Sequence, residues 1–407
     1  MKIGINLPAL TPYSREWVFR DPIRQARSTS LNNVSTYYCY QGIGNRAPAF
    51  EITGSQLKVT GASKTFTKQF LNKLLPFDTI RFMDWFRTNS STLVTWADRR
   101  LPTSVQQCDY GTTNIKGVAY EYAIELCNTL SKNAWVNVPH PFDDAAVASM
   151  AQLFATKLNP GLKVYLEFSN ELWNAGVGFN QGDWVNNELE RLNSLLAVGE
   201  SPVRHRHFIA SHLKRVFPIW QNAFTNRPTD LVRVVCGQAN NPGLLEGICS
   251  EMGTGTFDAV SVAAYFGPRS TKLGGPVYDT STTATQVIGD CLDNLQNYTI
   301  PNILKAKSVA DKCAVPLICY ESGQHITAKG QDVPYQNAFF EAQDHPLMAT
   351  AYKTLLDTIN SIGVGLDCLY NATSDRDKNG SWGLWQWQDE LSSVKGDAVL
   401  QWLTNNP

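Results

Sequence analysis

Short apolar runs alternate with amphipathic stretches along the whole chain, the pattern of strands and helices taking turns in a parallel sheet. Eight runs read as strands: residues 2–7, 79–83, 134–138, 162–168, 232–236, 259–264, 316–320 and 365–370. Helical periodicity fills the gaps, as in residues 118–130 (VAYEYAIELCNTL), 144–158 behind the acidic start Asp143-Asp144, and 348–362. Eight strands joined with one polarity predict an α/β fold, a single (β/α)8 barrel. Two segments fall outside the repeat. Residues 37–67 alternate and are dotted with Gly, which predicts a hairpin insertion after the first strand; residues 185–224 are rich in helix formers, which predicts a long helical decoration after the fourth. No low-complexity linker, charge block or internal repeat divides the chain, so it reads as one domain, residues 1–407.

In such a barrel functional groups gather on the loops that follow the C-terminal ends of the strands. Reading each end in turn gives Asn6; Arg81 with Asp84 and Trp85; His140; Asn170 with Glu171; Gln238; Tyr265; Tyr320 with Glu321; and Asn371, followed by Trp382. One rim thus collects polar and aromatic groups, with a carboxylate after the fourth strand and another after the seventh.

Composition narrows what this rim binds. Lys plus Arg number 35 against 36 Asp plus Glu, a formal charge of −1 with a pI near 6.6. Tracking phosphates needs a basic stripe that releases counterions, and the sequence has none, so no nucleic acid partner is expected. Nor is a membrane partner, since no run of about 18 apolar residues is present. Charged residues make up only 17%, while 11 Trp, 15 Tyr and 18 Phe bring the aromatics to 11%, a surface suited to neutral, ring-shaped ligands. The nine Cys are scattered without a CxxC pair or a His at metal spacing, which argues against a structural zinc site. Several lie in apolar runs, as Cys236 and Cys319 do, where a thiol acts as a small buried hydrophobe. The N-terminal MKIGINLP lacks the apolar stretch of a signal peptide and enters a strand at once, so a secreted origin requires a leader already removed.

Two carboxylates on one rim suit the cleavage of a glycosidic bond. One supplies a proton to the leaving oxygen; with retention of configuration the other attacks the anomeric carbon from about 5–5.5 Å away. The first must stay protonated near neutral pH while the second stays ionised. Glu171 is flanked by Phe168, Leu172 and Trp173, which would desolvate it and favour the neutral acid. Arg81 and Tyr265 are candidates to keep Glu321 ionised, by charge and by a hydrogen bond.

These residues match a known pattern. The chain resembles the clan A glycoside hydrolases, in which an Asn, Glu pair ends strand four and supplies the acid/base, here Asn170 and Glu171, and a Glu ending strand seven is the nucleophile, here Glu321. Tyr265 resembles the strand-six Tyr of the clan and Arg81 its strand-two Arg. More narrowly, IRFMDWFRTNSS, WADRRLP, VNVPH and LKVYLEFSNELWN are similar to a group of bacterial proteins often catalogued as carrying cellulose-binding modules. The likeness runs from GINLP to SWGLWQW; an attached carbohydrate-binding module is the part this chain lacks, which favours soluble chains or oligosaccharides over an insoluble polymer. The resemblance implies a retaining β-glycosidase, endo-acting on a β-glucan or mannan, without a cofactor. A carbohydrate-binding barrel without turnover and an exo-acting enzyme on small β-glycosides are the alternatives.

The remaining residues divide by role. Asn170 is expected to bind the sugar 2-hydroxyl, and His140 to donate to a sugar hydroxyl or orient a neighbour. Trp85, Trp173 and Trp382 are candidate stacking platforms, Trp382 for the cleaved sugar; Gln238 and Asn371 complete the expected substrate contacts. Glu167, inside the strand, is expected to form an internal ion pair, and Asp84 with Arg87 a rim ion pair. His140, Asp143, Asp144 and His325 lack the spacing of a metal hydrolase, and His205, His207 and His212 are expected on a solvated helical face.

Overall fold

The computed structural model describes residues 1–9, 27–28, 36–39, 50–53, 65–104, 107–109, 115–269, 271 and 274–406. Eight parallel strands, β1 (Lys2–Asn6), β2 (Thr79–Arg81), β3 (Asn133–Val138), β4 (Val164–Phe168), β5 (Leu231–Cys236), β6 (Ala259–Phe266), β7 (Leu317–Gln324) and β8 (Leu366–Leu369), close in sequential order into a (β/α)8 barrel. Closure comes where β1 pairs with both β8 (Lys2↔Leu366 to Ile5↔Leu369) and β2 (Gly4↔Thr79 to Asn6↔Arg81).

Each strand is buried on both faces, because one face packs the helices and the other fills the barrel. Alternation sorts the residues. Val164, Leu166 and Phe168 of β4 join the outer core, while Tyr165 points inward with Trp135, Val234, Ile318, Tyr320, Leu366 and Cys368. Trp135 and Tyr165 stack inside at 5.5 Å. Glycine is required at Gly4, where an added Cβ would lie 2.5 Å from the Cys368 Sγ that fills this part of the interior. The covering helices start where their caps dictate: Asp143 accepts from the Ala146 N–H at 2.7 Å to open the helix Asp144–Lys157.

All eight expected strands form, with two informative shifts. β2 stops at Arg81, two residues early, and β7 runs on to Gln324, four residues beyond the apolar run. The decoration after β4 consists of the helices Asn180–Ser194 and His205–Ala223. His212 does not lie on its solvated face as expected; it stacks on Phe168 at 5.3 Å, since a neutral imidazole covers an aromatic ring as well as it meets water. In the region of the expected hairpin, Arg27–Ser28, Thr36–Cys39 and Phe50–Thr53 form a three-stranded antiparallel sheet; residues 40–49 and 54–64 lie outside the described residues.

Candidate active site

The upper interior of the barrel is polar, and Arg81 organises it. Fully buried at the end of β2, its guanidinium directs Nε (3.2 Å) and Nη2 (2.9 Å) to Glu167 Oε2, Nη1 to Asn6 Oδ1 (2.9 Å) and Glu321 Oε1 (2.7 Å), and Nη2 again to Asn170 Oδ1 (2.8 Å). All five N–H donors are therefore committed to protein groups. Arg81 sits on Glu321 as expected from the sequence, and with no donor and no exposed surface left it holds carboxylates and has none to offer a substrate. Glu167 forms the expected internal ion pair, and its Oε2 also accepts from Trp135 Nε1 at 2.7 Å.

Glu321 is 5% exposed, and each of its oxygens has a donor: Arg81 on Oε1, and the Tyr265 hydroxyl on Oε2 at 2.8 Å. Across the mouth, Glu171 Oε1 accepts from the Tyr320 hydroxyl at 2.8 Å and Oε2 from Asn174 Nδ2 at 2.7 Å. Glu171 comes from a tight turn after β4, in which Ser169 and Glu171 both take left-handed φ values of 58° and 41°. Such conformations cost a non-glycine residue about 1–3 kcal/mol and persist only where the surroundings enforce them. Here the Asn170 carbonyl is held by Gln181 Nε2 at 2.8 Å and the Glu171 carbonyl by the Asn174 N–H at 2.9 Å.

Burial raises both carboxyls. It pushes Glu321 up to about 8 against the opposing pull of Arg81, with Glu171 adding to the rise, and it raises Glu171 against the hydrogen bonds from Tyr320 and Asn174. Two interacting carboxyls that resist ionisation together share a proton around neutrality. Glu321 is the better seat for the charge, since a guanidinium lies 2.7 Å from it, whereas Glu171 is met only by neutral donors. The phenols of Tyr265 and Tyr320 are held well above their usual range by burial, so both remain donors.

An aromatic wall borders the pair. The half-buried Trp382 meets His325 at 4.7 Å, Tyr370 at 5.9 Å and Tyr265 at 6.0 Å between ring centroids. Beyond it the Tyr370 hydroxyl donates to Asp84 Oδ2 at 2.8 Å, while Arg87 lies 3.8 Å from Asp109, so the expected Asp84–Arg87 pair is replaced by two other contacts. The peptide bond between Tyr370 and Asn371 is cis; Asn371 is buried and its Oδ1 has no partner among the described residues.

Of the other expected contacts, Trp85 falls elsewhere. Trp85 is 1% exposed and stacked on Phe70 at 6.0 Å, a core residue rather than a sugar platform, because its ring turns outward under the helices. His140 is buried against Trp184 at 5.1 Å and pushed down to about 4 by burial; it takes no part in the hydrogen bonds of the pair. Trp173 is half-buried and packs against the inward-facing cluster, and Gln238 is half-buried after β5, its carbonyl accepting from the Asn241 N–H at 3.1 Å. Two supporting residues had no signal in the sequence: Asn89 Oδ1 accepts from Asn170 Nδ2 (2.8 Å) and from Gln181 Nε2 (3.0 Å). Tyr320 stood beside Glu321 in the sequence, but strand alternation assigns neighbours to opposite faces.

Comparison with solved structures supports the (β/α)8 fold. Two solved structures share the fold: a family 51 arabinofuranosidase from Xanthomonas axonopodis pv. citri, 14% identical with TM-score 0.53, covering 98% of this chain and 75% of its own; and a family 51 α-L-arabinofuranosidase from Bifidobacterium longum, 14% identical with TM-score 0.51, covering 77% and 62%. No protein-family model matches the sequence, and no curated protein does.

Proposed function

We propose that the chain is a retaining glycoside hydrolase, acting as one catalytic domain over residues 1–407, in which Glu171 is the acid/base and Glu321 the nucleophile. The observation that carries this reading is the unequal treatment of two carboxyls at the ends of β4 and β7, Glu321 buried and Glu171 half-buried: a guanidinium on one, neutral donors alone on the other. In the first step Glu171 gives its proton to the glycosidic oxygen as the bond to the anomeric carbon breaks, and Glu321 Oε2 or Oε1 forms an ester to that carbon. The leaving group departs as an alcohol. Water then attacks the anomeric carbon, Glu171 takes its proton, and Glu321 departs as a carboxylate. Arg81 and Tyr265 hold Glu321 in place and stabilise its charge before and after the ester exists. Asn170 gives one Nδ2 hydrogen to Asn89, which leaves the second for the sugar 2-hydroxyl.

The substrate we infer is a neutral β-linked glycan, a β-glucan or mannan cut within the chain. Three carboxylates, Asp84, Glu171 and Glu321, lie about the mouth and the Arg81 guanidinium is fully engaged by protein groups, which disfavours a uronate, and Trp382 offers a flat face to a pyranose. The test is a product screen of the protein and of its Glu171→Gln and Glu321→Ala variants on β-glucans, mannans, xylans, galactans and α-L-arabinofuranosides. Products from wild type alone, with azide restoring turnover to Glu321→Ala as a glycosyl azide of inverted configuration, are expected. Turnover by Glu321→Ala without azide would remove the nucleophile assignment.

A further inference from the structure

Strand β7 carries one residue more than either neighbour. Against β6, Cys319 pairs with Val262 and Glu321 with Ala263; against β8, Cys319 pairs with Asp367 and Ser322 with Leu369. Along this strand Ile318 and Tyr320 point into the barrel and Cys319 into the outer core. In a regular strand Glu321 would follow Cys319 outward, on the wrong side of the wall. The bulge turns it back, so that two consecutive side chains serve the mouth: Tyr320 donates to Glu171, and Glu321 accepts from Arg81 and Tyr265.

Something must hold that irregularity in place. Inside the barrel, Asn6 Nδ2 donates to the Tyr320 carbonyl at 3.1 Å. On the outer side the next residue, Ser322, donates its hydroxyl to Asp367 Oδ2 of β8 at 2.8 Å, and the Tyr370 N–H donates to the Ser322 carbonyl at 2.9 Å. Both Ser322 and Asp367 are wholly buried. No salt-bridge partner of Asp367 is found among the described residues; besides Ser322 only the weak donor Cys319 thiol meets it, a costly arrangement for a residue that faces helices and not the mouth.

We propose that Ser322 and Asp367 are positioning residues: their hydrogen bond locks the β7 bulge and so aims Glu321 at the anomeric carbon from behind the barrel wall. This rests on the reading of Glu321 as the nucleophile. A catalytic group must be held within about 0.5 Å of its working geometry, and a misplacement of about 1 Å costs on the order of 100-fold in rate.

The test uses the full chain as wild type, Ser322→Ala, Asp367→Leu and Asp367→Asn, each first checked for folding by its melting temperature. Turnover is measured together with labelling of Glu321 by a 2,4-dinitrophenyl 2-deoxy-2-fluoroglycoside, read by intact mass. Ser322→Ala and Asp367→Leu are expected to lose about 10- to 100-fold in kcat and in the labelling rate with KM little changed, while Asp367→Asn, whose carbonyl still accepts from Ser322, keeps most of both. Wild-type rates in folded Ser322→Ala, or a loss confined to KM, would overturn the proposal. So would Asp367→Asn falling as far as Asp367→Leu. A crystal structure of Ser322→Ala decides independently of turnover: displacement of the Glu321 carboxyl from Arg81 and Tyr265 is expected, and an unmoved carboxyl refutes the positioning role. A wild type that neither turns over nor labels would instead refute the glycosidase reading.

Discussion

Among the described residues, Tyr265→Phe removes one hydrogen bond, the one to the proposed nucleophile. The phenol lies 2.8 Å from Glu321 Oε2, and among the described residues it is the donor to that oxygen; Arg81 serves Oε1. A hydrogen bond to a charged, buried group is worth about 1.5–3 kcal/mol. At 1.36 kcal/mol per decade this corresponds to about one to two pKa units, and to about 10- to 100-fold in rate if the bond is kept through the transition state. The direction follows from which form the bond favours. A donor stabilises the carboxylate over the acid, so its loss raises Glu321 further from the value of about 8 to which burial has already taken it. The working form of Glu321 is the anion. The acid limb of kcat/KM against pH, which reports the first proton lost by the pair in the free enzyme, must therefore move to higher pH. The measurement is a pH–rate profile on an aryl glycoside for wild type and variant, with melting temperatures taken alongside. An acid limb that stays in place or moves to lower pH in a folded variant would refute the assignment of charge within the pair.

Asn174→Ala probes the other carboxyl. It removes the donor 2.7 Å from Glu171 Oε2, at a half-buried site where a hydrogen bond is worth about 0.5–1.5 kcal/mol, so the alkaline limb of the same profile is expected to move up by up to about one unit. Asp367→Asn makes a prediction about stability. Burial pushes Asp367 up to about 7 from 3.8, so the folded state keeps a proton that the unfolded chain releases, and wild-type stability falls as pH rises through that window. The Asn variant has no charge to bury; its advantage in denaturant melts should be absent near pH 3 and grow to a ceiling of about 4 kcal/mol above pH 7. An advantage that does not change with pH would show that Asp367 does not titrate there.

The barrel was legible because eight apolar runs of strand length recur with helical stretches between them, and nothing in the tertiary structure contradicts that period. The polar residues at the strand ends were legible for the same reason: once the ends of β4 and β7 are located, Glu171 and Glu321 follow. What failed was everything decided by a local departure from period or by a distant loop. The run ESGQ looks like the end of a strand because it is polar, yet β7 continues through it to Gln324. The bulge hides in that run, and with it the fact that Tyr320 and Glu321 share a face. Trp85 was misread because a Trp near a strand end fits a core as well as a cleft, and only the direction of its ring, toward Phe70, separates the two. Asn89 and Gln181 reach Asn170 from the loop after β2 and the helix Asn180–Ser194, and neither spacing nor composition marks them.

The Arg81 network also bears on how the chain finds its fold. Its members come one from each of several strands: Asn6 from β1, Arg81 from β2, Trp135 from β3, Glu167 from β4 and Glu321 from β7, with the Asn6 amide reaching the Cys368 and Leu369 carbonyls of β8 at 3.2 Å. A barrel strand that slips by one residue sends every side chain to the opposite face. A slip of β2 would carry the guanidinium out among the helices and leave two carboxylates in the interior without a cation; a slip of β4 would carry Glu167 outward and leave Arg81 with Glu321 alone. An apolar interior would tolerate such errors far better, since one hydrophobe replaces another at small cost. The groups proposed to break a glycosidic bond thus also penalise the wrong registers, and closure of the barrel and assembly of the site become the same event.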